Sequence, residues 1–246
     1  MQFKRGQFVL NGKHSEEFNV FMRNRPISTS SGRVIELRER EGNDSIVIDK
    51  AYYKNTNKKI ECYYKAPTLE DVQEYEDRIT AWLDMGSYSD FIAYFDLQYI
   101  YQAIVIDAPT FKGTRKTGNI VPFEFTVSVR PFKENRSGRK SLFRTSNFSL
   151  FNTEKYPSKP LIKLTGSGDA SFFINDKEFK LKQLDRELII DSKIEESYRG
   201  LDGALEHQDL VTAFLDFPEL VSGRNDFRWT SNIKTFEITP RWCRKV

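Results

Sequence analysis

Two histidines, His14 and His207, are the whole imidazole inventory of these 246 residues. Imidazole is the usual general base and metal ligand near neutral pH, so their neighbours decide how much chemistry is available. His14 follows an Asn11-Gly12 turn, and His207 sits in a polar stretch with Glu206 and Asp209. A zinc site needs three or four ligands at tight spacing. Neither histidine has them, and both read as surface residues. The two cysteines, Cys62 and Cys243, read as reduced thiols; a disulfide would need their Cα atoms within about 7 Å. Gly166-Ser167-Gly168 lacks the G-x-S-x-G spacing that presents a nucleophile and reads as a turn. No glycine-rich segment matches a P-loop or a dinucleotide fingerprint. Carboxylate pairs suited to glycoside cleavage are defined by geometry that spacing alone leaves open. Lys112, Arg115 and Lys116, with Gly113 and Gly118, read first as a solvated loop and second as a contact for phosphate or an acidic partner. The sequons Asn43-Asp44-Ser45 and Asn147-Phe148-Ser149 read as idle without an export signal. No catalytic residue, cofactor site or metal site is assigned.

The bulk properties narrow the field further. Residues 1–134 hold 19 Lys+Arg and 19 Asp+Glu, and residues 135–246 hold 38 − 19 = 19 and 35 − 19 = 16. Neither half is the basic footprint that neutralises many phosphates. Met1 to Leu10 carries Lys4 and Arg5 but no apolar core, so it does not read as a signal peptide. No apolar run approaches the roughly 20 residues that span a bilayer. Synthesis and folding in a cytoplasm are expected, with no membrane partner. Phenylalanine and tyrosine are plentiful, 20 and 11, which favours strands.

The elements follow from periodicity. Phe8-Val9-Leu10 runs into Asn11-Gly12, the pair that a type I′ turn demands, and Phe18-Asn19-Val20-Phe21 reads as the return strand. Residues 28–45 read as a long excursion, a hairpin projecting from the core. Ser28 to Gly32 is flexible in composition, and Glu36-Leu37-Arg38-Glu39-Arg40-Glu41 is dense in charge. Such charges form a solvated face, or on a projecting hairpin they set register against a neighbouring subunit. Ile46–Ile48 and Ile60–Tyr64 read as strands. Thr68 with Asp71 three residues on resembles a capping box. Leu69, Val72, Tyr75, Ile79, Trp82 and Leu83 then recur at helical spacing, and Gly86 is placed to end the helix. Tyr99–Ile106 is an apolar strand, and Phe123, Phe125, Val127 and Val129 alternate with polar residues in strict period two.

Hydrophobicity falls across Lys133–Lys140, which sets a domain boundary: 1–134 and 135–246. The second half reads as short strands, Leu161–Leu164, Ser171–Ile174, Phe179–Leu181, Leu188–Ile190 and Thr235–Ile238. Gly166–Asp169, Asn175-Asp176, Asp202-Gly203 and Gly223–Asp226 supply turns. Strands at that spacing point to a sandwich or jelly roll. The fold class is mainly β.

Four segments of the second half carry a resemblance. Tyr156 to Asp169, including Gly166, Gly168 and Asp169, is followed by Ile174-Asn175. Leu188-Ile189-Ile190-Asp191-Ser192 matches I-x-I-D-S. Phe217-Pro218-Glu219-Leu220-Val221-Ser222-Gly223-Arg224-Asn225 matches F-P-x-L-x-x-G-x-N. Glu237-Ile238-Thr239-Pro240-Arg241-Trp242 ends in P-R-W. In this order they resemble the distal tail proteins of siphophages, and Phe8–Val20, with Asn11 and Gly12, is similar to that family's start. Many members carry P-G-R-D-G in the hairpin, where this chain has Glu41-Gly42-Asn43-Asp44-Ser45.

The resemblance implies an N-terminal β-sandwich with one helix and a belt hairpin, closing a hexameric ring. It implies a C-terminal galectin-like, carbohydrate-module-like β-sandwich. The ring would join the tail tube protein to the central fibre protein, dock receptor-binding proteins in many phages, and pass the tape measure protein and later DNA. Glu36, Arg38, Glu39, Arg40 and Glu41 are the candidate inter-subunit belt residues. The expected place is the distal end of a virion tail, and the expected protein is structural, not an enzyme. The alternative is a carbohydrate-binding module that contacts cell-wall glycans. That role needs exposed aromatics, and the tryptophans available to it, Trp229 and Trp242, read as core.

Overall fold

The computed structural model describes residues 3–113, 118–201, 204–208 and 211–246. Two compact units are present, Met1–Lys133 with Lys245–Val246, and Glu134–Arg244. In chain order the strands are β1 (Phe8–Leu10), β2 (Lys13–His14), β3 (Val20–Met22), β4 (Arg33–Arg40), β5 (Asn43–Tyr53) and β6 (Thr56–Lys65). Helix α1 (Val72–Leu83) precedes β7 (Ser89–Ala93), β8 (Tyr99–Phe111), β9 (Ile120–Val129) and β10 (Phe132–Asn135). Then come β11 (Leu142–Arg144), β12 (Phe148–Asn152), β13 (Leu161–Ile174), β14 (Lys177–Asp191) and β15 (Glu196–Leu201). The last are β16 (Ala204–His207), β17 (Gly223–Trp229), β18 (Ile233–Thr239) and β19 (Cys243–Lys245).

In the first unit a nine-stranded sheet runs β2-β1-β7-β8-β9-β6-β3, with β10 beside β8 and β19 beside β10. The sheet curls. The Met22 N–H donates to the Gly6 carbonyl at 2.8 Å, so the segment entering β1 meets β3 at the far end of the path. Gly6 has φ +89°, and a Cβ there would lie 2.9 Å from the Met22 oxygen, so no other residue fits. Val121, Phe123, Phe125, Val127 and Val129 of β9 are all buried, as the period-two pattern predicts. The aromatic core centres on Trp82. Phe18 stacks on it at 4.4 Å between ring centroids, and Phe8 lies at 5.5 Å. Its indole N–H donates to the Leu10 carbonyl at 2.8 Å, and the Asn11 amide donates to the Trp82 carbonyl at 2.8 Å. Asn11 and Gly12 both have positive φ, +50° and +70°, as a type I′ turn requires.

Three local expectations are corrected. The return strand is β2, at Lys13–His14, not Phe18–Phe21. His14 ends it by capping a 3-10 turn, Ser15–Phe18: its Nδ1 accepts from Glu16 N–H at 3.1 Å while Glu17 accepts from the His14 N–H at 2.8 Å. The chain then reverses at left-handed Asn19, and Val20–Met22 pairs with β6 instead. Thr68 and Asp71 do form a reciprocal pair, the hydroxyl donating to the carboxylate at 2.7 Å, but one turn ahead of α1. Leu69 lies in that turn and is 68 % exposed. The helix ends at extended Asp84, without a left-handed glycine at Gly86.

In the second unit the sheet runs β11-β18-β13-β14-β15-β16, with β17 joining β12 to β13. Leu161–Leu164 and Ser171–Ile174 are halves of one strand, β13, and Phe179–Leu181 and Leu188–Ile190 are halves of β14. Gly166–Asp169 is therefore a mid-strand irregularity, not a turn between strands. The β13–β14 register shifts between Gly168 and Ala170, and Gly168 has φ +74°. A bulge bends the strand, and the two halves of β13 take different partners. Leu161–Gly166 pairs with β18, and Phe172–Ile174 with β17. Asn175 turns the hairpin at φ +55°. Asp202-Gly203 and Asp209 lie outside the described residues.

Cys62 and Cys243 are both free. Burial pushes the Cys62 thiol well above its ordinary value and Cys243 up to about 12. The thiolate is the reactive form. A water-soluble disulfide reagent at pH 8 should therefore label neither quickly in the native chain and both within minutes after unfolding. Fast native labelling of Cys62 would contradict its placement in the core.

Candidate assembly interface

The hairpin β4–β5 forms a two-stranded sheet of its own. Its return arm is longer than the expected excursion to residue 45: Ile46–Ile48 is not a separate core strand but the partner of Glu36–Arg38, and β5 continues to Tyr53. Gly42 makes the tip at φ +71°. At the base, the Lys54 N–H donates to the Gly32 carbonyl at 2.9 Å, and the Ser31 N–H donates to the Val246 carbonyl at 3.0 Å. Arg33 donates through Nε to Asp49 at 2.8 Å and through Nη1 to Tyr53 at 3.0 Å. The Arg33 hydrogen bonds hold the Asp49 carboxyl below its ordinary range.

The two faces differ. Opposed residues of an antiparallel pair share a face, so Leu37 with Val47, and Ile35 with Asp49, lie on one side. Ile35, Leu37 and Val47 are 52, 61 and 61 % exposed. Glu36 lies on the other side, with Lys50 at 2.7 Å and Arg38 at 3.6 Å. Glu39, Arg40 and Glu41 continue the exposed run to the tip, where Arg40 donates to the Asp44 carbonyl at 3.1 Å. The apolar stripe was not assigned to a site from sequence. Its signal is the alternation of Ile35 and Leu37 with Glu36 and Arg38, which the density of charge along Glu36–Glu41 masks.

The motif residues of the second unit hold the fold. Arg241, at φ +55°, donates two bonds to Asp191, 2.5 and 3.0 Å. The Pro240 carbonyl accepts from the Ser158 hydroxyl at 2.7 Å, and the Trp242 carbonyl accepts from the Asn135 N–H at 2.7 Å. I-D-S and P-R-W thus meet in one place. Asn225, fully buried, bonds both ways to Val221 at 2.9 Å; Gly223, at φ +90°, opens β17, so Gly223–Asp226 is paired strand and not the expected turn. Pro218 lines a groove of about 680 Å3 with Phe217 and Leu215. Asp169 accepts from the Gln183 N–H at 2.9 Å, and its carbonyl accepts from the Asn232 amide at 2.6 Å. Trp242 is 8 % exposed and belongs to the core, whereas Trp229 is half-buried at its edge and stacks on Phe236 at 5.1 Å. Lys112 is tied to Glu124 at 2.5 Å; Arg115 and Lys116 lie outside the described residues. His207 is exposed, and no cluster of metal-ligating side chains occurs among the described residues.

The Asp191 pair carries a pH dependence. Burial would raise this carboxyl, but the hydrogen bonds and charge of Arg241 outweigh it and hold it below its ordinary value. Burial likewise opposes, and Lys193 and Arg139 overcome, in Glu134. A depressed folded value means that the stabilisation is complete above the unfolded values, about 3.9 and 4.3, and is lost as pH falls through the folded ones. Melting temperature should therefore be flat from about pH 7 to 5 and fall below about pH 4. Arg241→Gln should lower the plateau and shrink that fall; an unchanged profile would discount the pair.

No protein-family model matches the chain, and no curated protein matches it. Its fold is that of hub and baseplate proteins of phage tails, in agreement with the resemblance read from the motifs. The crystal structure of the SPP1 Dit protein, described as a paradigm of the hub adsorption apparatus in phages infecting Gram-positive bacteria, matches at a TM-score of 0.74 and 12 % identity. It covers 98 % of each chain. The phage p2 baseplate in its activated conformation, solved with Ca and with Sr, matches at a TM-score of 0.54 and 10 % identity, again over 98 % of each chain.

Proposed function

We propose that this chain is a structural adaptor at the distal end of a phage tail, closing a ring of six copies. Residues 1–134 form the ring and residues 135–246 an outer galectin-like sandwich. The hairpin β4–β5 is the belt. One observation carries the reading: within a chain whose fold matches the Dit structure over 98 % of its length, the Ile35-Leu37-Val47 face of this ribbon is exposed. Two-stranded hairpins are marginal alone, and an exposed apolar stripe marks a contact surface. A head-to-tail contact that closes makes a ring. The Ile35-Leu37-Val47 stripe supplies affinity, and Glu36, Arg38, Glu39, Arg40 and Glu41 set register. The ring joins the tail tube protein to the central fibre protein, offers a dock to receptor-binding proteins, and passes the tape measure protein and DNA through a near-neutral channel. No step of this role needs a catalytic residue or a cofactor. Light scattering and negative-stain microscopy test it, on the protein alone and mixed with tube protein. Six-fold rings in either sample are expected, and a monomer in both would overturn the reading.

A further inference from the structure

Lys58 lies on the buried face of its strand. Along β6 the residues Thr56, Lys58, Ile60, Cys62 and Tyr64 point inward, and each is at most 8 % exposed. A lysine whose stem lies in that stripe is stabilised by an anion at its ammonium. Among the described residues no hydrogen bond or ion pair reaches its ammonium, which is not itself fully buried and opens onto the small cavity that Lys58 lines. The buried Thr56 hydroxyl, two residues away on the same face, also has no partner.

Lys58 lines a small cavity of the first unit, about 60 Å3, with Arg25, Ser28, Phe95, Tyr101 and Lys133. Lys133 is already engaged, donating to Asp96 at 2.5 Å and lying 4.4 Å from the Tyr99 ring centroid. The exposed Arg25 packs its guanidinium over Phe95 at 5.1 Å, at the solvent side. Val246 also lines the cavity, and its main-chain oxygen accepts from the Ser31 N–H and the Ser30 hydroxyl, both at 3.0 Å. Three cations therefore line one space, and Asp96 pairs with one of them, Lys133. Burial, then the charges of Lys133 and Arg25, pull the Lys58 value below that of an ordinary lysine. A water molecule needs only about 10–15 Å3 of such space and supplies no charge.

We propose that this cavity is an oxyanion site, in which a carboxylate or phosphate group is held by Lys58, Lys133 and Arg25. The group is either a free ion or an acidic side chain of a second copy; the latter source rests on the ring reading. The test uses the full chain, melted at pH 7 and constant ionic strength in chloride, inorganic phosphate or acetate. Phosphate or acetate should raise the wild-type melting temperature saturably by roughly 3–6 °C. Lys58→Met should melt above wild type in chloride and should not respond. Arg25→Gln, at the exposed mouth, should weaken the phosphate midpoint about tenfold, read against its own melt in chloride. This readout needs no ring, so it stands apart from the assembly test. Light scattering in the same titration separates the sources. Phosphate stabilisation without a change in mass identifies a free ion. Phosphate that dissociates rings, together with failed ring formation by Lys58→Met, identifies a neighbour's acid. A wild-type chain whose melting and mass both ignore phosphate and acetate, or a Lys58→Met chain that responds like wild type, overturns the site.

Discussion

Gly166→Val should lower the melting temperature of the full chain by roughly 10 °C or more, the largest stability effect expected for any single substitution in the motif segments. The reason is a close approach, not a backbone angle. Gly166 does not have positive φ. A Cβ built there would lie 2.3 Å from the Asn232 carbonyl oxygen, 2.9 Å from Leu184 Cδ2 and 3.1 Å from Ile233 Cα. Two of these three atoms belong to backbone, so no side-chain rotamer relieves them. The position is also where β13 changes register against β18, between Thr165 and Gly166. Pushing the strands apart there would strip the buried cluster of Leu164, Leu184, Ile233 and Phe236 of its close packing. Overpacking a core costs about 1–3 kcal/mol, and more where backbone must move. Gly168→Ala is the control. It has φ +74° but only Asn232 Nδ2 within 4 Å, at 3.9 Å. It should cost only the left-handed penalty of about 1–2 kcal/mol. Equal losses in both variants would show that the close approach has been misjudged.

That glycine illustrates what a sequence can disclose. Gly166, Asp191, Asn225, Pro240 and Arg241 were legible because each is held by an interaction that few other residues could make. Such positions announce a fold without announcing its function. The period-two pattern of Phe123–Val129 was legible for a similar reason, since one face is buried without interruption. The long strands β13 and β14 were not. A bulge and left-handed residues at Gln183 and Arg186 break their alternation, so each reads as two short strands. Ile46–Ile48 misled in another way. Apolar alternation says that a face is covered, but not by which chain, and the hairpin's Ile35-Leu37-Val47 face is exposed among the described residues. Lys58 was missed because Lys58-Lys59 looks like the polar lead into a strand, while pairing of β6 with β9 begins at Thr56.

Removing the belt should abolish rings and leave the monomer's stability almost untouched. The cut is defined by geometry. Arg33 pairs with Tyr53, and the Lys54 N–H to Gly32 carbonyl bond closes the base just outside them. Replacing Val34–Tyr52 by Asn-Gly keeps that base and supplies a turn suited to a two-residue link. Among the described residues the ribbon's strands pair only with each other, so its loss should change the melting temperature of the monomer by less than about 2 °C. Burying an aliphatic side chain fully is worth about 1.5–3 kcal/mol. Three such side chains, Ile35, Leu37 and Val47, therefore bring several kcal/mol to each subunit contact, and that contribution recurs around the ring. A double substitution separates the apolar stripe from the ribbon itself. Leu37 and Val47 face each other across the strands. Leu37→Lys with Val47→Glu puts opposite charges there, which preserves pairing while removing the apolar face. Rings should be lost in this variant as completely as in the deletion. Glu39→Gln with Glu41→Gln, by contrast, should keep rings and mainly reduce the sensitivity of closure to salt, because exposed charges contribute little to affinity. If the charge variant breaks the ring and the apolar variant does not, then charge and not apolar burial holds the belt to its neighbour. If all three variants close normally, the belt has no part in assembly.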